Sequence, residues 1–280
     1  MIAASSTELI TLRPYPGPPG DAATALTTRA RAVDLEMGFA DGAGTYAAAT
    51  FTIEIFTRLH RWAAPSTAEP RLAGVMTLTP TGAGSRELDI VIDPDHRATG
   101  VCTSALEHIL GELAAGATPP IDPRRIVARS RGSHPAAARL ARRFQAVSIG
   151  ERHHLVLPTR EAFEQSQSAH LLGSWHSTMQ MNPVADDTLA ISVDTVPLGR
   201  VEIHRDADVG VIGELTPAED ATASLPLLVG AGAHELFGSG ATCLVAEIDP
   251  EMPDLLAAFR SAAFHHDRTD ILYSPSEDFS

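Results

Sequence analysis

Short apolar segments alternate with polar breaks along the first half of the chain. The segments 71–78 and 87–92 are rich in Val, Ile and Leu, and the Pro-Thr-Gly sequence at 80–82 between them is typical of a turn. From Val101 to Leu113 an apolar or small residue recurs every four positions, as on one face of a helix. The pattern therefore predicts strand, turn, strand, loop and helix over residues 71–113.

Other parts of the first half carry weaker signals. Strands are predicted at 8–13, 126–128 and 153–157, and a helix at 135–144. The stretch 22–62 favours helix, in more than one piece because glycines at 42 and 44 interrupt it. The polar, unpatterned stretch 159–173 is interpreted as a linker, partly helical. We therefore predict two domains, 1–160 and 161–280.

The second half repeats the order of elements seen in the first. Strands at 189–196 and 200–204, joined by a Pro-Leu-Gly hairpin, precede a strand at 209–215, a helix at 218–237, a strand at 243–248, a helix at 253–263 and a strand at 270–274. Pro94 and Pro217 each end a strand, and Phe144 and Phe264 each end a helix. Both pairs are separated by about 120 residues, which predicts a duplicated domain.

Composition narrows the range of partners. The 280 residues carry a formal net charge of −14, which argues against nucleic acid and against an anionic membrane as partners. All 21 basic residues are arginine, which suggests a bacterial genome rich in G and C. The two cysteines and the adjacent histidine pairs lack the spacing of a metal site, so no metal is expected. The sequence shows no secretory signal and no apolar run long enough to cross a membrane, so a cytoplasmic location is expected.

The most informative segment joins the strand at 87–92 to the helix that begins at Val101. It has an Ile-Asp-Pro strand end at 92–94, followed by Arg97, Gly100 and Cys102 in the pattern Arg-x-x-Gly-x-Cys. A strand, loop and helix in this order direct several backbone N–H groups to the helix N-terminus, where an anion binds. The segment lacks the glycine and lysine pattern of a Walker loop and the GxGxxG pattern of a dinucleotide site.

On these residues the chain resembles the GNAT superfamily of acetyltransferases, whose cofactor loop follows Arg/Gln-x-x-Gly-x-Gly/Ala after a strand of this type. The resemblance implies an α/β (α+β) protein of two tandem GNAT folds, each a mixed, mostly antiparallel sheet flanked by helices. It also implies acetyl-CoA as co-substrate and direct acetyl transfer to a small amine-bearing acceptor. The implied cofactor-binding residues are Val91, Ile92, Arg97, Ala98, Thr99, Gly100, Val101, Cys102 and Thr103.

The same resemblance suggests catalytic roles. The backbone around Val91 and Ile92 would contact the thioester oxygen, and Glu87, or else Asp89, would accept the proton of the amine. These two carboxylates are two positions apart on a strand and share a face. The tyrosine that protonates the leaving thiolate in the family is replaced near Ala141 in the first half, and in the second half by a phenylalanine, Phe259.

Several residues have alternative interpretations. His134 is either a helix cap or a ligand-binding group, and the arginines at 124, 125, 129 and 131 either contact the 3′-phosphate of CoA or are solvated. Cys102 has no histidine nearby in the sequence, so a nucleophilic role is disfavoured.

The second half departs from the family pattern at its own loop, 217–224. This loop has neither Arg nor Gly and carries Glu219 and Asp220, which would repel phosphate. The tandem arrangement is similar to that of mycothiol synthases, but the second domain is the catalytic one there. One acetyl-CoA per chain is expected. Two functions remain open: an N-acetyltransferase, or a catalytically silent tandem GNAT protein that serves as a CoA-responsive or structural module.

Overall fold

The computed structural model describes residues 9–36, 48–58, 70–81, 84–114, 125–175, 178–185, 187–219 and 224–276. Arg124 and Asp220, and the glycines at 42 and 44, lie outside this part of the chain. The described part divides into two compact units. Unit 1 consists of Met1–Gly150 and Ile271–Ser280, and unit 2 is Glu151–Asp270.

This division corrects the predicted domain boundary. The chain enters unit 2 at Glu151, earlier than the predicted residue 160, and it returns to unit 1 at Ile271. The supposed linker 159–173 forms two short helices of unit 2, α4 (Arg160–Glu164) and α5 (Gln167–Trp175). Phe163 and Leu172 from these helices are buried in the core of unit 2. With only these two buried apolar side chains, the stretch shows little helical periodicity in the sequence, and this is why it was predicted to be a linker.

Unit 1 is built on a sheet with helices on both faces. Its elements are β1 (Ile10–Pro16), α1 (Asp21–Glu36), β2 (Phe51–Thr57), β3 (Arg71–Pro80), β4 (Arg86–Ile92), α2 (Val101–Ala114), β5 (Ile126–Ser130), α3 (Pro135–Arg143) and the first part of β6 (Ala146–Leu157). Strands β1 to β5 lie side by side in chain order, and β5 is followed by the C-terminal strand β12 (His265–Pro275), which pairs through residues 271–273. All these pairs are antiparallel except β4 with β5.

The two larger helices cover opposite faces of this sheet. Leu26 and Ala30 of α1 pack with Val75 and Val91. On the other face, α2 packs through Val101 and Ala105, together with Ile55 and Met76 of the strands. Because side chains alternate along a strand, the odd-numbered residues of β4 face α1 and the even-numbered residues face α2. This alternation decides which predicted site residues can meet.

Strand β2 corrects the sequence prediction for 22–62. Phe51–Thr57 was assigned to a helix-prone stretch, and it is a strand paired with both β1 and β3. Its sequence, FTIEIFT, is rich in β-branched and aromatic residues, which fit the pleated surface of a sheet better than a helix. The helix that precedes it, α1, ends at Glu36 in the described part of the chain.

Unit 2 contains α4 and α5, β7 (Met179–Ala185), β8 (Thr188–Val193), β9 (Val196–Asp206), β10 (Val209–Pro217), α6 (Leu225–Gly238), β11 (Cys243–Ile248) and α7 (Pro253–Ser261), with parts of β6 and β12. Strands β7 to β10 form antiparallel pairs, β10 pairs with β11 in parallel, and β11 pairs with β6 antiparallel. The order three strands, helix, strand, helix, strand matches unit 1 from β2 to β6, which confirms the predicted mostly antiparallel sheet with flanking helices in each unit.

The hairpin between β8 and β9 turns at a different place from the predicted Pro-Leu-Gly. Asp194 and Thr195 form the turn, with φ of 49° and 69°. Two consecutive residues with positive φ are the geometry of a type I′ turn, which matches the twist of the strands it joins. The residues at 197–199 continue β9. Among the described helices of the chain, none is long and apolar enough to span a membrane.

Candidate functional site

A cleft opens in unit 1 where β4 and β5 part. Their parallel pairing runs from Arg86 with Ile126 to Leu88 with Ala128, and both strands continue beyond it, to Ile92 and Ser130. The cleft has a volume of about 780 Å³. It is lined by both of these strands, by the N-terminus of α2 and by α3. Such a volume is typical of a site for a small molecule or cofactor.

The N-terminus of α2 presents backbone N–H groups to this cleft. The first helical hydrogen bond joins Ser104 N to Gly100 O at 2.9 Å. The N–H groups of Val101, Cys102 and Thr103 therefore have no acceptor within the helix, and Gly100 has no side chain to cap them. All three residues line the cleft. An anion could accept hydrogen bonds from them and interact favourably with the helix dipole.

Gly100 is required by the backbone at this point. Its φ is +86°, in the left-handed region that favours glycine, and a Cβ built on it would have no heavy atom within 4 Å. Glycine is therefore required at this position by the backbone conformation and not by a close neighbour. The space beside the loop is open to a ligand. Ala98, earlier in the same loop, also has a positive φ of 60°.

The side chain of Arg97 is engaged within the protein. Its Nη1 lies 2.5 Å from Asp34 Oδ1, its Nη2 lies 3.0 Å from Asp34 Oδ2, and its Nε donates to the carbonyl oxygen of Ile92 at 3.1 Å. These bonds join the loop to α1 and to the end of β4. The loop residues Arg97 and Ala98 line the cleft, as do Val91 and Ile92 of β4. Anion binding by this loop would therefore depend mainly on backbone groups.

Cys102 occupies the position of the small residue in the cofactor-loop pattern. Burial raises the pKa of its thiol to about 12, so that the group is a neutral thiol at physiological pH. A neutral thiol is a poor nucleophile, which agrees with the expectation that Cys102 has no nucleophilic role.

The two carboxylates predicted as bases are both held by arginines. Asp89 Oδ2 lies 2.5 Å from Arg31 Nη2, and Asp89 Oδ1 lies 2.7 Å from Arg131 Nη1. Glu87 Oε1 lies 3.4 Å from Arg129 Nε and 3.7 Å from Arg131 Nη2. Asp89 lines the cleft, whereas Glu87 is outside its lining. Each Asp89 oxygen has a second lone pair, so a substrate N–H could approach it beside the bound arginine.

His134 caps α3 at the edge of the cleft. Its Nδ1 accepts a hydrogen bond from the backbone N–H of Ala136 at 3.1 Å, which confirms the capping interpretation. Because Nδ1 is the acceptor, the neutral ring carries its proton on Nε2. Burial lowers the pKa of His134; Asp34 acts in the opposite direction, and Arg97 and Arg139 lower it further.

The cleft is basic although the chain is strongly acidic. Among the described residues that line it, six are arginines and two are aspartates, whereas the chain as a whole has a net charge of −14. Of the arginines predicted near a 3′-phosphate, Arg129 and Arg131 line the cleft and Arg125 does not. An excess of arginine in a concave site favours an anionic ligand.

Sequence reasoning missed several polar residues that line the cleft, among them Arg31, Asp34, His96, Tyr273 and Ser274. Tyr273 lies on β12, pairs with Ala128 of β5 and lines the cleft. The predicted place for a tyrosine, Ala141, is buried and lines the same cleft, while Phe259 lies in the core of unit 2. Ser130, at the end of β5, is buried and also lines the cleft. No local pattern could identify Tyr273, because the return of the C-terminal strand to unit 1 is a long-range event.

The equivalent helix of unit 2, α6, has a different N-terminus. Pro226 in its first turn lacks an N–H group, and the hydroxyl of Ser224 donates to the Leu198 carbonyl oxygen at 3.0 Å. Nine of the 14 residues of α6 are buried. Glu219 follows β10 in the described part of this loop. No group of His, Cys, Asp and Glu residues within the described ranges could hold a metal ion.

Comparison with solved structures identifies proteins of the same architecture. A GCN5-related N-acetyltransferase from Sphaerobacter thermophilus is 12% identical, with a TM-score of 0.56 over 97% of this chain and 98% of that one. A tandem GNAT protein from the clavulanic acid biosynthesis pathway is 13% identical, with a TM-score of 0.59 over 95% of this chain and 100% of that one. A putative acetyltransferase from Pyrococcus horikoshii is 11% identical, with a TM-score of 0.50 over 95% and 89% of the two chains.

Sequence comparison adds no relative. Neither a protein-family model nor a curated protein matches the chain. At identities of 11–13% the structural likeness establishes the fold and not the activity. It spans nearly the full length of this chain and of the three proteins, and it includes both units. The chain therefore has the tandem GNAT fold.

Proposed function

We propose that unit 1 binds acetyl-CoA in the cleft between β4 and β5 and that the protein transfers the acetyl group to a small amine-bearing acceptor. The observation that carries this proposal is the cleft itself, which opens at the parted strands and ends at the N-terminus of α2. Its arginine excess suits the phosphates of CoA in a chain that is otherwise acidic. The names of the structural neighbours, two of them acetyltransferases, support the same reaction class.

The pyrophosphate is assigned to the N–H groups of Val101, Cys102 and Thr103, with the backbone of the preceding loop residues beside them. The extended pantetheine arm would then follow the free edge of β4. The thioester carbonyl oxygen needs an N–H donor, so its contact is assigned to the backbone N–H groups around Val91 and Ile92; the bond from Arg97 occupies only the carbonyl oxygen of Ile92. Direct transfer joins the amine nitrogen to the acetyl carbonyl carbon and releases the CoA thiolate.

The identity of the base stays a prediction. Asp89 is better placed than Glu87 because it lines the cleft, but its two oxygens are bound by Arg31 and Arg131. An acceptor amine that carries an anionic group could displace one of these arginines and free an oxygen for the proton. Tyr273 is the candidate to stabilise the leaving thiolate, because it is the tyrosine of the cleft lining.

The second candidate function is a CoA-binding protein without catalysis. The specific observation that favours it is the full engagement of Asp89 in ion pairs. Both candidates require CoA binding, and only the first requires turnover.

Calorimetry and an acetylation assay separate these possibilities. Acetyl-CoA at 100 times its dissociation constant should raise the free energy of unfolding by about 2.7 kcal/mol. Release of CoA in the presence of a panel of small amines would support the transferase. Binding without release of CoA from any amine would support the silent CoA-binding protein, and absence of binding would refute both candidates and leave the structural module.

A further inference from the structure

Ser130 carries a buried hydroxyl that the protein itself leaves unpaired. The residue ends β5, where its backbone lies in register with Ile271 of β12, and it is 4% exposed. Its Oγ has no hydrogen-bond partner among the described residues, and the side chain lines the cleft of unit 1. Buried hydroxyl groups are nearly always paired, because burial removes the bonds they make to water.

The surroundings of Ser130 explain why no protein group reaches it. Ala128 and Tyr273 lie on the same face of the sheet as Ser130, whereas Arg129 lies on the opposite face and binds Glu87. Across the parted strands, the even-numbered residues of β4 that line the cleft on this face are Leu88, Ile90 and Ile92. The side chain of Ser130 therefore belongs to a largely apolar wall of the cleft, where a ligand is an available source of a polar partner.

We propose that the Ser130 hydroxyl binds a carbonyl of the pantetheine arm of CoA, either an amide or the thioester. This inference rests on the proposed function of the cleft. Pantetheine is slender, with isolated amide groups between apolar segments, and it therefore matches a largely apolar slot that has an unpaired hydroxyl in its wall. The adenosine and phosphate groups of CoA need several charged partners at once, and the cleft-lining residues on the same face of the two strands as Ser130 (Leu88, Ile90, Ile92 and Ala128) are uncharged.

The chain offers a matched control for the loss of this hydroxyl. Thr77 on β3 is 2% exposed, and its Oγ1 also has no hydrogen-bond partner in the described part of the chain. Thr77 is outside the lining of the cleft. Ser130→Ala and Thr77→Val thus remove the same kind of group from the same sheet, and only the first removes it from the site.

Calorimetry on the full chain tests the proposal with CoA and with adenosine 3′,5′-bisphosphate, which lacks the pantetheine arm. Ser130→Ala should weaken CoA binding about three- to tenfold, as expected for one hydrogen bond, and leave the affinity for the bisphosphate unchanged. Thr77→Val should leave both affinities unchanged. Neither variant should lower the melting temperature without ligand, because each removes an unpaired buried group.

The outcomes separate this inference from the proposed function. If the wild-type protein binds CoA and Ser130→Ala binds it equally well, the hydroxyl is not a ligand contact and the inference is wrong. An equal loss of affinity for both ligands, or a drop in melting temperature in Ser130→Ala alone, would assign Ser130 a structural role and also overturn it. If the wild-type protein binds no CoA, the proposed function fails first.

Discussion

Arg97 and Asp34 form a two-pronged ion pair, with nitrogen to oxygen distances of 2.5 and 3.0 Å, between the candidate phosphate loop and α1. Arg97 is the arginine of the sequence motif, and its guanidinium is bound by the protein itself. The pair is partly buried, with about a third of the Arg97 side chain and a fifth of Asp34 exposed. The arginine thus fixes the shape of the loop whose backbone would bind phosphate.

We predict that Arg97→Ala lowers stability as well as affinity. Loss of the ion pair and of the bond to Ile92 should reduce the free energy of unfolding by about 1 kcal/mol, a value that allows for solvent screening. Asp34→Asn breaks the same ion pair and should likewise destabilise unit 1 and weaken CoA binding, because the loop loses its support from α1. Urea unfolding and calorimetry on both variants measure the two effects. Unchanged CoA affinity in both variants would contradict this account.

The role of the helix N-terminus is tested with proline at Val101. Proline fits the first position of a helix, so Val101→Pro removes one N–H group at a place where the backbone tolerates it. Val101 is also part of the core, and Val101→Ala is the control for loss of its side chain. CoA affinity should fall about tenfold or more in the proline variant relative to the alanine variant. Equal affinities in calorimetry would show that this N–H does not bind the ligand.

The two candidate bases should respond differently to neutral substitution. Asp89 holds the buried Arg31, and Asp89→Asn should therefore lower the free energy of unfolding by about 2 to 4 kcal/mol. Glu87 has longer contacts of 3.4 and 3.7 Å, and Glu87→Gln should cost less than about 1 kcal/mol. Glu87→Gln is thus the cleaner kinetic test, with a loss of about 10²-fold in acetylation rate expected if Glu87 is the base. A normal acetylation rate in Glu87→Gln would leave two explanations: Asp89 is the base, or the amine binds already deprotonated.

Local sequence patterns identified the region around the cleft, because the strand, the turn and the helix that form it each depend on residues close together in the sequence. The strand ending at Ile92, the turn at Gly100 and the helix from Val101 all have the predicted position and type. Periodicity and a glycine at a positive φ depend on neighbouring residues alone. The cap formed by His134 was recognisable for the same reason.

Long-range events could not be predicted from the sequence. The partner of Arg97 is 63 residues away on α1, and the strand that carries Tyr273 returns to unit 1 after the whole of unit 2. The ion pairs of Glu87 and Asp89 depend on α1 and on the segment after β5, and no local signal reports them. The spacing of Glu87 and Asp89 in the sequence therefore identified them as candidates, but their ion-pair partners could be identified only from the structure.

His134 should make stability depend on pH. Because its pKa in the folded protein is lowered by burial, the unfolded chain binds a proton more readily below the ordinary histidine value of about 6.5. The stability that His134 contributes is therefore fully present above that pH and is lost as the pH falls towards the lower pKa of the folded protein. His134→Asn keeps a good cap without the titrating ring. Urea unfolding from pH 7.5 to 5 should show a smaller loss of stability in the variant, and parallel curves would contradict the assignment.

One acetyl-CoA should bind per chain although the fold is present twice. Unit 1 offers three free N–H groups at a helix N-terminus, a glycine that leaves open space beside them and a cleft rich in arginine. In unit 2 the equivalent helix is α6, which follows Ser224. Pro226 in its first turn has no backbone N–H group, and Glu219 lies in the preceding loop. A carboxylate near a polyphosphate is repulsive, and α6 is buried along most of its length. Calorimetry should give a stoichiometry near one. A stoichiometry near two would place a second CoA site in unit 2.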